Sequence, residues 1–377
     1  MNKIKVGHVL NSIGGVDVSL RLILENLNVK TYDNFVIHGY KDTSKIYLDG
    51  DKKKVKDYKI PILRDISIIN DIRSIVYTVK IFKLEKPDIV HAHSAKGGLI
   101  ARIASIFYKV TILHTPQAYS YLSTSNSFKR WMILSIEKFL KNINSVLVAS
   151  SNSELERGLQ EVGYKKNKTE LFSNSIHPIR NLENDVKYSV SWPDDYICTV
   201  GRPSYQKNIE MMIEVIKELR NDMPSIHLVL MGVGEYYPNL DKVERLIKEY
   251  NLENNITLVK WIERQEIFKI ISKSKLYIST ARYEGLPYSI IESLALSKAC
   301  VVTDCDGNRD LVIDGYNGYI IKNNDIVEMS KKIHLLYTNE NLRSEMEQSS
   351  KELFQKGYNL QENIGLIEEI YQKYARI

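Results

Sequence analysis

Two glutamates eight positions apart, Glu284 and Glu292, bracket the stretch of this chain with the clearest chemical content. The first reads as part of a turn after a strand at 275–280, the second as part of the helix that follows. Between them Gly285-Leu286-Pro287 forms a tight turn, with the proline expected at the first helical position. Tyr288 and Ser289 then open the helix. A helix start presents free backbone N–H groups and a partial positive charge, which suits a phosphate. Glu284 stands beside that anion site, where it accepts hydrogen bonds from hydroxyls. Glu292, about two helical turns further in, accepts from a second hydroxyl-bearing group. A phosphate turn flanked by two hydroxyl acceptors describes a pocket for a nucleotide sugar. The plain alternative is that both glutamates lie on a solvated helix face.

A second element is Gly201-Arg202-Pro203-Ser204-Tyr205-Gln206-Lys207-Asn208. Residues 196–200 read as a strand. Ile209, Met212, Ile213, Ile216 and Leu219 recur at helical spacing after it. Arg202 and Lys207 therefore sit on a strand-to-helix loop, the kind that holds ligands at the carboxyl ends of strands in open α/β sheets. A forked cation and a point cation together suit a diphosphate. Taken singly, each is also compatible with an ordinary surface charge.

As a set, Gly201-Arg202 with Lys207-Asn208, Met231-Gly232-Val233-Gly234-Glu235, and Glu284 with Glu292 resemble the C-terminal domain of the GT-B glycosyltransferases of family 4. Gly14-Gly15-Val16-Asp17 resembles that family's glycine loop. Asn174-Ser175-Ile176 stands where the family often has Asn-Gly-Val. Gly307-Asn308-Arg309-Asp310 and Asp314-Gly315-Tyr316-Asn317-Gly318 resemble its late loops. The resemblance covers nearly the whole chain. It implies two Rossmann-like doubly wound α/β domains facing a central cleft. It also assigns Gly14, Gly15, Gly201, Gly234, Trp261, Ile262 and the segment Glu284 to Ser289 to the donor pocket, with Glu284 on sugar hydroxyls and Glu292 on the ribose.

Length and composition agree with such an organisation. A chain of 377 residues exceeds one ordinary core. Three cysteines, Cys198, Cys300 and Cys305, leave an odd count without C-x-x-C spacing, which fits a reducing cytoplasm better than a disulfide scaffold or zinc site. The sequence passes directly into a strand and a glycine loop, so no signal peptide is expected, and no apolar run is long enough to span a membrane. Charge is divided unevenly. Residues 1–180 hold 28 Lys and Arg against 16 Asp and Glu, whereas residues 181–377 hold 24 against 30. A basic half suggests an anionic partner. No nucleic-acid-binding signature accompanies it, so a membrane surface ranks above nucleic acid.

Two runs of alternating strands and helices argue for two doubly wound domains. Strands are expected at 5–10, 34–39, 88–93, 110–114 and 145–149, then at 196–200, 227–231, 255–259, 275–280 and 299–303. The polar stretch 181–195 marks the boundary, giving an acceptor domain at 1–185 and a nucleotide-sugar domain at 186–359. In the resembling family the terminal segment, here 360–377, returns to the first domain. The Lys-rich run 51–59 reads as an exposed loop and helix face, with lipid contact as its functional alternative. The segment 128–141 is amphipathic, basic and aromatic. It is either an interfacial helix or a domain helix with its apolar face in the core.

Gly14 and Gly15 let backbone approach a diphosphate or sugar closely. G-x-G-x-x-G is absent, which argues against a nicotinamide oxidoreductase. His91 and His93 share a strand side but lack a carboxylate cluster, so a structural or acceptor-lining role is preferred to metal binding. The family usually carries a histidine in the second loop. Here Gln117 takes that place and His114 lies three residues earlier, and either is a candidate for the role.

The resemblance implies a retaining, metal-independent transferase with no cofactor beyond its nucleotide-sugar donor, expected to be UDP-linked. The transferred group is expected to be a hexose or N-acetylhexosamine. The expected acceptor is a saccharide, lipid-linked at the inner membrane face, as in capsule or O-antigen assembly. The Lys-, Ile- and Asn-rich composition points to an AT-rich bacterial genome. Alternatives are a GT-B nucleotide-sugar epimerase and a non-catalytic sugar-nucleotide-binding protein.

Overall fold

Parallel strands require crossover connections, and the alternation of apolar strand runs with amphipathic helices supplies them. The computed structural model describes residues 3–11, 14–63, 67–180, 182, 190–233, 239–260 and 262–375. They form two units, one of residues 1–175 with 360–377 and one of residues 176–359. The division falls ahead of the stretch 181–195 expected to carry it, most of which lies outside the described residues.

The first unit holds a parallel sheet of strands β1 (Ile4–Val9), β2 (Tyr32–Gly39), β3 (Lys56–Ile60), β4 (Ile89–His93), β5 (Ile112–Thr115), β6 (Ser145–Ala149) and β7 (Thr169–Leu171). Their order is β3-β2-β1-β4-β5-β6-β7. Alternation sorts the side chains. Val9, Val90 and Ile112 pack beneath helices Ile68–Glu85 and Ser94–Phe107, while Val6, Leu113 and Val148 meet helices Gly15–Asn26 and Leu360–Tyr374. Ile367, Ile370 and Tyr371 carry the latter helix into the core.

The second unit repeats the plan with β8 (Ile197–Val200), β9 (Leu228–Met231), β10 (Ile256–Val259), β11 (Leu276–Ser279), β12 (Cys300–Thr303) and β13 (Gly318–Ile321). The order is β10-β9-β8-β11-β12-β13, all parallel. Each sheet reverses its strand order once, between β1 and β4 and between β8 and β11. Loops at the carboxyl ends beside such a reversal form the natural ligand crevice of an open α/β sheet.

One expectation needs correction. The Lys-rich run 51–59 is not a helix face: after a turn it becomes edge strand β3. Lysines suit an outermost strand because they discourage further pairing. Lys56 and Tyr58 reach the buried carboxylate of Glu85, which also pairs with Lys5 3.1 Å away. These partners hold Glu85 near pKa 2, overcoming the opposing effect of burial. The segment 128–141 forms a helix, Ser127–Leu140, whose apolar residues are divided: Leu140 is buried and Ile133 and Leu134 pack against the core, whereas the aromatic side chains face out. Phe128, Trp131 and Phe139 are 71%, 63% and 67% exposed. The buried charge is Glu137, whose Oε2 takes a hydrogen bond from Arg102 at 2.9 Å.

Candidate active site

The loops after β8 and β11 leave the second sheet side by side at its strand-order reversal. Backbone ties join them. Arg282 N–H donates to Gln206 O at 2.8 Å, and Thr280 Oγ1 lies 3.0 Å from Lys207 O and 2.9 Å from Asn208 O. Arg282 adds a bond to Tyr205 O at 2.6 Å and lies over the Tyr205 ring.

This stitching fixes the central cluster. Lys207 Nζ donates to Glu284 Oε1 at 2.6 Å, and Gln206 Nε2 donates to Glu284 Oε2 at 3.1 Å. Glu284 is buried and Lys207 half-buried, so each restrains the other. Lys207 lies across Gly201, where a Cβ would meet its Cγ at 3.4 Å. An ammonium has three donors, and only one is taken by Glu284. Arg202 is half-buried on the same loop and has no ion pair among the described residues.

Beyond Glu284 the chain turns through Gly285-Leu286-Pro287, all buried. Pro287 is the N-cap of helix Tyr288–Ala295, one residue earlier than expected: its extended ψ of 120° lies outside helical geometry. No side chain caps this helix start, while Ile290 N–H already donates to Pro287 O at 3.1 Å. Gly307 passes against the turn with φ 73°, and a Cβ there would meet Gly285 O at 2.5 Å. Only glycine fits both the backbone and the gap.

Glu292 is buried within the same helix, and Arg264 Nη2 approaches its Oε1 at 2.5 Å. Burial pushes the Glu292 carboxyl above its ordinary range, and Arg264 opposes that rise. Arg264 begins helix Arg264–Lys273, just after half-buried Ile262. Gly234 and Trp261, assigned to the same pocket from sequence, lie outside the described residues. Sequence reasoning missed Gln206, Arg264 and Arg282. The first adjoins Lys207, but nothing in the spacing pairs Arg264 with Glu292.

The first-unit candidates are arranged differently. Gly14 takes φ 64° as the N-cap of the first helix, with open space where a Cβ would stand, and Gly15 is the first helical residue. His114 is fully buried in β5 against Gly98, where a Cβ would come within 2.2 Å of Nε2. Burial, reinforced by Arg102, holds its pKa well below the ordinary value. Gln117 follows on the loop after β5, half-buried, with its Nε2 unpartnered. Gln117 and Ala118 both adopt positive φ, 52° and 78°, a strained pair. Glu154 helps secure it by accepting from Ala118 N–H at 2.9 Å.

His8, His91 and His93 form a buried stack whose ligating atoms lie within 4.8 Å of one another. Their nitrogens are largely engaged. Thr115 donates its own hydroxyl hydrogen to Val148 O, so His91 Nε2 donates to Thr115, leaving Nδ1 to accept from Tyr371. His8 donates to Asn34 Oδ1 and accepts from His93 Nε2, each at 3.2 Å. This network describes neutral structural imidazoles. Burial lowers all three pKa values, that of His8 to about 4.

The comparisons with known proteins agree with the fold. The family model for Glycosyltransferase Family 4 matches residues 13–180, and that for Glycosyl transferases group 1 matches residues 183–353. Over 384 residues the chain is 26% identical to the UDP-Gal:alpha-D-GlcNAc-diphosphoundecaprenol alpha-1,3-galactosyltransferase of Escherichia coli, covering 98% of this chain and 97% of that one. It is 24% identical over 345 residues to the capsular polysaccharide biosynthesis glycosyltransferase CapM of Staphylococcus aureus, covering 87% and 90%. Among solved structures, sucrose-phosphate synthase from Thermosynechococcus elongatus matches with TM-score 0.82 at 16% identity, over 98% and 99% of the two chains. Anabaena HepE in complex with UDP-glucose matches with TM-score 0.78 at 16% identity, over 98% and 100%. With two doubly wound units, and a family match on each side of residue 181, the chain belongs to the GT-B glycosyltransferases of family 4 and group 1.

Proposed function

We propose that this protein is a retaining glycosyltransferase that moves a hexose or N-acetylhexosamine from a UDP-sugar to a lipid-linked saccharide in bacterial surface-polysaccharide assembly. The Lys207–Glu284–Gln206 cluster beside the uncapped start of helix Tyr288–Ala295 carries this reading. It combines cationic donors and the positive end of a helix dipole for a diphosphate with a carboxylate for hydroxyls. The names of the galactosyltransferase and CapM relatives support a lipid-linked or capsular acceptor, and the HepE complex supports a UDP-sugar donor.

In the reaction the bond from the anomeric carbon to the diphosphate breaks and the acceptor oxygen bonds to the same face. The acceptor proton passes to the departing phosphate. Arg202 and Lys207 stabilise the negative charge that grows on the diphosphate, without a metal. Glu284 holds the donor-sugar hydroxyls and Glu292 the ribose. Gln117, with its unpartnered amide, takes the acceptor-side role, because His114 is enclosed in the sheet. The excess of basic residues over 1–180 suits work at the inner face of an anionic membrane.

A panel of UDP-sugars with undecaprenyl-diphosphate saccharides, assayed in EDTA for UDP release and by NMR for anomeric configuration, tests this. Transfer with retained configuration is expected. Release of a free epimerised sugar would identify an epimerase, and tight UDP binding without turnover would identify a binding protein.

A further inference from the structure

We infer that Glu154 is a positioning residue for the acceptor side: through the Ala118 N–H it holds the loop after β5 in the strained shape that presents the Gln117 amide. This rests on the acceptor-side role of Gln117 and names the residue through which that role is set.

The loop is short and fixed at both ends. Thr115, the last residue of β5, is buried, with Oγ1 2.8 Å from Val148 O of β6. Tyr119, four residues on, is also buried, with its ring stacked on that of Tyr121 at 5.4 Å. Gly158 makes room for it: a Cβ there would meet Leu147 Cδ2 at 2.2 Å and the Tyr119 hydroxyl at 3.1 Å. Between these anchors Gln117 and Ala118 are half-buried and take φ of 52° and 78°. Neither is a glycine, so each would relax to negative φ unless held. Ala118 has no polar side chain with which to resist. Relaxation there turns the peptide that joins it to Gln117, and the direction of the Gln117 side chain turns with that peptide.

Glu154 supplies the restraint. Ser151-Asn152-Ser153-Glu154 is a capping sequence for helix Asn152–Arg157. Ser151 Oγ accepts from Glu154 N–H at 3.1 Å, and Glu154 Oε2 reaches back to Ser150 N–H at 2.7 Å and Ser150 Oγ at 2.8 Å. Such a cap needs one side-chain oxygen, and glutamine serves it as glutamate does. The second oxygen goes elsewhere: Oε1 accepts from Ala118 N–H at 2.9 Å, 36 positions away. Glu154 is 3% exposed, which shields this bond from water. An ionised carboxylate accepts at both oxygens and donates at neither, which the amide of glutamine cannot do. The cap alone is satisfied by either residue at 154; the loop requires the glutamate.

Glu154→Gln isolates the second bond, because its amide oxygen keeps the cap while its NH2 group faces the Ala118 N–H, donor against donor. With the UDP-sugar and undecaprenyl-diphosphate saccharide that react in the panel above, kcat/KM for the saccharide should fall about tenfold or more. UDP affinity by isothermal titration and circular dichroism should stay at wild-type values, and amide hydrogen exchange over 116–121 should quicken. Gln117→Ala should lose a similar factor, and Glu154→Gln/Gln117→Ala no more than the larger single loss. Replacing Ala118 by lactic acid deletes only its N–H; it should give the same loss, and it serves if Glu154→Gln does not fold. Unchanged exchange over 116–121 in Glu154→Gln overturns the inference without any substrate. Wild-type kcat/KM in Glu154→Gln with a loss in Gln117→Ala removes Glu154 from the acceptor side. Equal losses of UDP affinity and transfer, or additive losses in the double variant, assign Glu154 to general stability and also overturn it. Wild-type transfer by Gln117→Ala instead withdraws the reading of Gln117, and with it what Glu154 would position.

Discussion

Arg264 Nη2 lies 2.5 Å from Glu292 Oε1, joining the first residue of one helix to the interior of another in the second unit. Burial favours the neutral form of Glu292, and Arg264 opposes it by favouring the ionised carboxylate. Arg264 is thus a positioning residue for the carboxylate assigned to the ribose. Its removal should raise the Glu292 pKa further. If the ionised carboxylate is the form that holds the ribose, the acidic loss of UDP affinity should begin at higher pH in Arg264→Ala than in wild type. Arg264→Lys should recover part of the difference. Isothermal titration of UDP across pH 5 to 8 reads this, and superimposable profiles for Ala and wild type would remove the role.

Glu284→Gln and Glu292→Gln should differ in kind. The first exchanges an acceptor oxygen beside Lys207 for an amide. It should chiefly lower kcat and alter discrimination among donor sugars. The second should chiefly weaken UDP itself, which carries the ribose. Unchanged UDP affinity in Glu292→Gln with a loss in Glu284→Gln would exchange the two roles.

Lys207→Ala and Arg202→Ala should each reduce transfer by about 10²–10³-fold, the scale of losing one charge-stabilising donor at a transition state. Lys207→Ala also deprives buried Glu284 of its cation. Its thermal midpoint should therefore fall, whereas that of Arg202→Ala should not. Near-normal turnover in both variants defeats the diphosphate assignment.

The histidine stack makes stability depend on acid. His8, His91 and His93 have pKa values lowered from 6.5 in the folded chain, so below about pH 6.5 the unfolded chain binds protons that the folded one refuses. Stability is present above that pH and drains as pH falls toward about 4, where folded His8 titrates. Each group contributes a slope of up to about 1.4 kcal/mol per pH unit. Urea midpoints measured from pH 7.5 to 5 should decline, and more shallowly in His93→Gln. A flat series in the wild-type protein would show that the stack does not titrate this way.

Arg102→Leu should cost about 3–5 kcal/mol, because it leaves Glu137 enclosed without its cation. Arg102→Leu/Glu137→Leu should recover most of that loss. Chemical denaturation of the single and double variants measures the coupling, and additive losses would mean the pair is not coupled.

How far the sequence foretold these features depended on the reach of each signal. The ten expected strands form because each is an apolar run bounded by turn residues, within a residue or two of the expected limits. Strands β3, β7 and β13 escaped. The first is lysine-rich, and all three are outermost in their sheets, with only one neighbour to supply an apolar face. The amphipathicity of Ser127–Leu140 was visible, but periodicity does not say which side faces in; the Arg102–Glu137 pair, 35 positions apart, and the inward packing of Ile133, Leu134 and Leu140 decide that. The loop with Lys207 and the turn with Glu284 were legible as separate motifs. Their direct contact arises from sheet order. The Arg264–Glu292 contact was not legible, since a lone arginine at a helix start carries no signature of its partner.

The bond between His91 and Tyr371 bears on biosynthesis. The ribosome delivers residues 176–359 before the helix that supplies Tyr371, Ile367 and Ile370 to the first sheet. Until that helix emerges, the sheet begun by the earliest residues has one oily side covered only in part, by helix Gly15–Asn26, and a histidine lacking its phenol. The later half of the nascent chain therefore has all its own parts first, and the earlier half is sealed last.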